Sequence, residues 1–208
     1  MMKPQYVALI ACIAGCLCYL SAMAATWLTS VLPRMRERPA REPRPMTLLL
    51  VPLVGALVAS LYATHESTPL AFVRLGLVLV SLAFAVTADL RVGTVPVAVM
   101  APLLALTAAI EIATHQTASV LAACVVLVPF AFASAWTRGR GLGAGDVQIA
   151  ALGALALSPI LGTIAFAGAC FGAAGVTLAR RSESRQLTFS PYLATTIAAS
   201  LALPMLVL

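Results

Sequence analysis

Acidic residues are scarce in this 208-residue chain: there are seven, and only two of them, Asp89 and Asp146, are aspartates. Charged residues of both signs make up 10% of the sequence, against about 25% in a soluble globular domain, which excludes an ordinary water-facing fold. Histidine is limited to His65 and His115, remote in sequence from each other and from both aspartates, so a metal centre has little to build on and no cofactor is expected. Cys12, Cys16, Cys18, Cys124 and Cys170 form no Cys-x-x-Cys pair. Neither a zinc cage nor a disulfide framework follows, and all five read as small helix-packing residues in apolar segments. Gly139-x-Gly141-x-Gly143 lacks the following lysine and the preceding strand of a phosphate-binding loop. Serine, histidine and acid do not cluster on one face, which argues against a serine-type triad.

What the chain has in abundance is apolar length. It is 62% hydrophobic, in runs of about 20 residues that suit membrane-spanning helices and not the alternating strands of a barrel. Eight stretches are expected: Tyr6 to Leu32, Thr47 to Ala63, Leu70 to Ala88, Val95 to Ala113, Ala118 to Trp136, Val147 to Leu157, Ile160 to Ala179 and Phe189 to Val207. The sixth is short and stops at Ser158-Pro159, so it reads as a half-helix or as a tilted helix sheltered by its neighbours. The expected fold is all-α, a polytopic membrane protein of about eight transmembrane helices in a single domain over 1–208. That domain divides into a first helix (1–33), a short basic loop (34–46) and a core (47–208).

Charge orients the chain. If the first helix runs outside to inside, Arg34, Arg36, Arg38, Arg41, Arg44, Arg91, Arg138, Arg140, Arg180, Arg181 and Arg185 are all cytoplasmic, leaving only Lys3 and Arg74 outside. Both termini are then expected outside. The topology explains most of the net charge of +6, and no nucleic-acid partner is needed; the Arg34–Arg44 loop also suits anionic lipid heads. Lys3, the apolar run and Ala22-Met23-Ala24 resemble a cleavable signal peptide, but the run continues to Leu32 and its removal would strand the basic loop on the wrong face. Glu111 and Arg74 read as snorkelling or interfacial anchors near outer helix ends. Gly168-x-x-x-Gly172 reads as a close helix contact.

Under this topology Asp89 ends the third helix and Asp146 begins the sixth, on the same membrane face. A charge at membrane depth costs roughly 2.5 to 3.5 kcal/mol on insertion scales, so a retained acid points to function. Two carboxylates that meet there cannot both ionise comfortably and share one proton. One then activates water as general base while the other polarises a peptide carbonyl. Gly143 and Gly145, in Gly143-Ala144-Gly145-Asp146, permit close backbone approach. The plain alternative for Asp146 is a helix cap.

Three stretches together resemble the prepilin peptidases (type IV leader peptidases), which are similar to presenilin-type proteases in using a GxGD acid. They are Asp89-Leu90-Arg91-Val92-Gly93-Thr94-Val95-Pro96, Gly141-Leu142-Gly143-Ala144-Gly145-Asp146-Val147 and Phe189-Ser190-Pro191-Tyr192-Leu193-Ala194. The likeness covers roughly residues 47–207 and makes 47–208 the peptidase core. It implies an eight-helix inner-membrane aspartic endopeptidase that removes the basic leader of type IV prepilins or pseudopilins at the cytoplasmic face, just after a glycine. It implies Asp89 and Asp146 as the catalytic dyad, Gly143 and Gly145 as shapers of the second acid's loop, Pro96 as part of the first motif, and Pro191 and Tyr192 as supports of the last helix.

Departures from the family pattern are Gln148, where a lysine is common, and Val97, where a polar residue is frequent. The loop Pro33–Met46 also lacks the long paired-cysteine segment associated with pilin methylation, so the resemblance extends to cleavage and gives no basis for methyltransferase activity. The rival expectation is a non-catalytic membrane protein. It could be a proton-coupled transporter, which would favour midplane acids and repeated halves, or a pilus or secretion assembly factor.

Overall fold

Proline placement sets where several helices begin. Pro4, Pro45, Pro69 and Pro159 are each the first residue of a helix, where the missing N–H has no intrahelical partner to lose and the fixed φ suits the helix. In the computed structural model, residues 3–32, 45–64, 68–114, 117–136, 143–179 and 189–202 are described. They form α1 (Pro4–Val31), α2 (Pro45–Ala63), α3 (Pro69–Val92), α4 (Val97–Ala113), α5 (Thr117–Trp136), α6 (Ala144–Ala156), α7 (Pro159–Ala179) and α8 (Ser190–Ala202). No strand occurs among the described residues. The all-α expectation therefore stands.

Helices α1, α2 and α3 are long and apolar enough to cross a membrane. Their outward faces carry side chains such as Leu9, Leu20, Trp27, Leu49 and Leu53, exposed in the isolated chain, as suits a surface solvated by lipid. Pro52 in α2, Pro102 in α4 and Pro129 in α5 sit inside helices, where each removes one backbone hydrogen bond.

Two helices form the centre. α3 buries Leu75, Val78, Leu79, Leu82, Phe84, Ala85 and Ala88, and α6 buries nearly everything from Gly145 to Leu155. At 13 residues, α6 is about 20 Å long, well short of a hydrocarbon core of about 30 Å. Neighbours α3, α4, α5, α7 and α8 all touch it, so the short sixth segment is a sheltered helix and not a lipid-facing one. Gly168 and Gly172 of α7 lie against Thr196 and Tyr192 of α8, the close helix contact expected of that pair.

α1 and α3 run in the same direction. The Ser21 hydroxyl donates to the Val80 carbonyl at 2.7 Å, and nearer the other end the Arg91 guanidinium donates to the Thr26 carbonyl. Lys3, just before α1, and Arg74, in the second turn of α3, thus lie towards one end of the bundle and Arg91 lies at the other. The basic loop 34–44, His65, His115, the Gly139 and Gly141 positions, Arg138, Arg140, Arg180, Arg181, Arg185 and the end of the last apolar stretch lie outside the described residues.

The expectation for Arg74 and Glu111 needs correcting. Glu111 does not snorkel: it is fully buried, 0% exposed, and its Oε1 lies 2.5 Å from Arg74 Nε. Neither Glu111 oxygen has hydrogen-bond alignment, so the contact is an ion pair held by charge. Arg74 Nη2 also donates to the Leu155 and Ala156 carbonyls, at 2.9 and 3.2 Å. A cation there satisfies carbonyls of the last turn that have no intrahelical partner and complements the negative end of the α6 dipole. One arginine therefore ties α3, α4 and the end of α6 together.

Candidate active site

Asp89 lies in the last turn of α3, which continues to Val92, one turn beyond the expected end. Its backbone carbonyl accepts the Gly93 N–H at 2.7 Å, and Gly93 has φ +68°. This left-handed residue is the usual way to stop a helix, and only glycine adopts it without strain. The chain leaves the turn extended, and Pro96 (φ −71°, ψ 110°) is the N-cap residue of α4. The stretch Asp89–Pro96 is therefore a helix stop that sets an acid at a fixed depth. The Asp89 side chain is 6% exposed and its Oδ2 accepts no hydrogen bond among the described residues.

Asp146 occupies the first turn of α6. Its Oδ2 accepts the Gly143 N–H at 3.0 Å, half of a capping box. Its Oδ1 accepts the Ser190 hydroxyl at 2.6 Å. The capping alternative is thus correct as geometry, and it does not compete with a chemical role, because the cap fixes the carboxylate's orientation.

Gly145 explains why the glycine just before the acid matters. A Cβ built there would stand 2.5 Å from Val95 Cβ, closer than side chains approach. The start of α6 thus packs directly on the turn that follows Asp89, and the two acid-bearing stretches become one site. The Asp89 carboxyl lies within the field of Asp146, and the Ser190 hydroxyl faces it.

Ser190 was not singled out from the sequence, although Phe189-Ser190-Pro191-Tyr192 was. It is the first residue of α8 and 2% exposed. Pro191 and Tyr192, named instead, are half-buried, and the Tyr192 ring edge rests against Gly172 of α7. The available signal was a small hydroxyl between Phe189 and Pro191 in an otherwise apolar start to the helix. Gln148, at the position where the resembled family often has lysine, is half-buried, with an Oε1 that makes no hydrogen bond among the described residues. Arg91 lies two residues past Asp89, and its guanidinium points to α1.

The site therefore has two carboxyls of unequal setting and one shared hydroxyl. No three His, Cys, Asp or Glu side chains converge among the described residues. Along α3, 15 residues separate Asp89 from Arg74, about 22 Å, so the carboxyl pair and the Arg74–Glu111 pair occupy opposite ends. Comparison of the chain with protein-family models, with curated proteins and with solved structures finds no match.

Proposed function

We propose that this protein is an intramembrane aspartic endopeptidase of the prepilin peptidase type, with about eight spans in a bacterial inner membrane and its dyad at the cytoplasmic face. The observation that carries the reading is the junction of three remote stretches: Gly145 seats α6 on the turn after Asp89, and Ser190 of α8 donates to Asp146. Two acids that share one proton supply both halves of amide hydrolysis. The ionised carboxylate takes a proton from water as the water oxygen attacks the peptide carbonyl, and the protonated one stabilises the charge developing on the carbonyl oxygen. No covalent intermediate or metal is required.

The substrate class follows from the resemblance: a prepilin or pseudopilin whose short basic leader precedes an apolar helix, cut after a glycine. The Arg91 end of the bundle, which carries the dyad, is the cytoplasmic one when charge orients the chain. A transporter reading suits the site less, because the acids sit at one end of α3 and α6 and not midway along them.

The test is co-expression with a candidate prepilin and measurement of the pilin's mass, which reports leader removal and N-methylation together. The wild-type protein is expected to remove the leader and leave the new N-terminus unmethylated. Asp89→Asn and Asp146→Asn should each leave the leader in place while the protein stays in the membrane. Leader removal at the normal rate by either variant contradicts the dyad.

A further inference from the structure

We infer that Ser190 is a positioning residue that divides the labour of the dyad, making Asp146 the base and Asp89 the acid. The inference rests on the peptidase reading for its consequence in catalysis, but its geometry stands alone. Both Asp146 oxygens accept from donors: Oδ2 from the Gly143 N–H at 3.0 Å and Oδ1 from the Ser190 hydroxyl at 2.6 Å. Donors to both oxygens favour the ionised carboxylate, which only accepts. Asp89 is less well supplied: it is 6% exposed, the Ser190 hydroxyl faces it while bonding Asp146, and its Oδ2 accepts nothing among the described residues. A buried carboxyl with one oxygen left without a donor is cheaper when that oxygen carries the proton. Ser190 has one hydroxyl hydrogen, and its 2.6 Å bond to Asp146 Oδ1 uses it; on this assignment the oxygen lone pairs are what remains for a protonated Asp89.

The other ionisable groups around the pair are few. On the helices packed against α6 and α8, the described ones are Arg91, directed at α1, Arg74 and Glu111 at the far end, Tyr62 and Tyr192, and the exposed thiols Cys124 of α5 and Cys170 of α7.

Asp146 takes a proton from water while the water oxygen bonds to the carbonyl carbon, and the Asp89 proton goes to the carbonyl oxygen. As the C–N bond breaks, the amine nitrogen takes the proton from Asp146 and a hydroxyl of the gem-diol returns one to Asp89. Both carboxyls recover their starting states.

An apolar carbodiimide, which reacts with protonated carboxyl groups, tests this without any substrate. With the full-length protein in lipid vesicles and mass spectrometry of the adducts, Asp89 should label about tenfold or more over Asp146, the factor that a hydrogen bond to a charged group carries. Ser190→Ala should reduce that preference to about threefold or less, and Ser190→Thr should restore it. Equal labelling of the two acids in the wild type, or an unchanged preference in Ser190→Ala, overturns the assignment. Should the wild type cleave no prepilin, the peptidase reading fails while the labelling still decides the role of Ser190. Where it does cleave, Ser190→Ala should lower kcat roughly ten- to a hundredfold with KM little changed, and its rate-against-pH profile should move. An unmoved profile with wild-type kcat also overturns the proposal.

Discussion

At the scale of single residues, the site depends on one missing side chain. Gly145 lies where any Cβ would fall 2.5 Å from Val95 Cβ and 3.4 Å from its Cα, so the neighbour in the way is close to rigid backbone. Gly145→Ala should push the start of α6 off the turn that follows Asp89. Overpacking of this kind typically costs about 1–3 kcal/mol, and displacement of Asp146 by even part of an ångström should lower leader cleavage by roughly tenfold or more. Thermal unfolding in detergent and a cleavage time course measure the two effects separately. A loss of rate larger than the loss of folded protein is the expected signature. The two aspartates were legible from the sequence because an acid in apolar surroundings is costly enough to need a reason. Ser190 was not: a hydroxyl beside a proline is common, and its partner comes from a helix 44 positions away. Nor was the pairing of Arg74 with Glu111, since each taken alone fits an interfacial side chain.

At the scale of elements, the ends of helices matter more than their middles. α3 stops where Gly93 turns left-handed, and that stop fixes the depth of Asp89. A Cβ at Gly93 would meet nothing within 4 Å, so the cost of Gly93→Ala is conformational, about 1–2 kcal/mol, without steric conflict. Cleavage should therefore fall less in Gly93→Ala than in Gly145→Ala at equal folded protein, and Gly93→Asn should be milder than Gly93→Val because asparagine tolerates the left-handed region. The reverse order in cleavage assays would contradict this account of the turn. Helix positions were readable from hydropathy and proline to within a few residues. α6 was the ambiguous case, because a short apolar run fits a half-span and a sheltered core helix equally well. Only its neighbours on every side decide between the two.

At the scale of the whole molecule, the bundle has two different ends. The carboxyl pair and Arg91 lie at one, and the Arg74–Glu111 pair, with the carbonyl end of α6, lies at the other. Since α6 carries Asp146 at its first turn and is gripped by Arg74 at its last, the far end holds the site from a distance. Arg74→Ala leaves Glu111 buried without a cation and frees two carbonyls. Breaking a buried pair from one side costs about 3–5 kcal/mol, so a marked drop in thermal stability is expected. Arg74→Ala combined with Glu111→Gln should recover part of it, since no buried charge is left unpaired. If the double variant is no more stable than Arg74→Ala, the pair does not behave as an ion pair. The all-α architecture was legible from composition and run length, because hydrocarbon leaves the backbone few alternatives. The convergence of α3, α6 and α8 was not, because helices of similar hydropathy carry no sequence record of which faces meet.

The most direct measurement of the central claim is cleavage of a synthetic prepilin by the purified protein in lipid vesicles, comparing Asp89→Asn, Asp146→Asn and the double variant. Two carboxyls acting as one unit predict a fall on the order of a thousandfold for each single variant, with almost no further loss in the double. Wild-type cleavage by either single variant, or losses that simply multiply in the double, would contradict it.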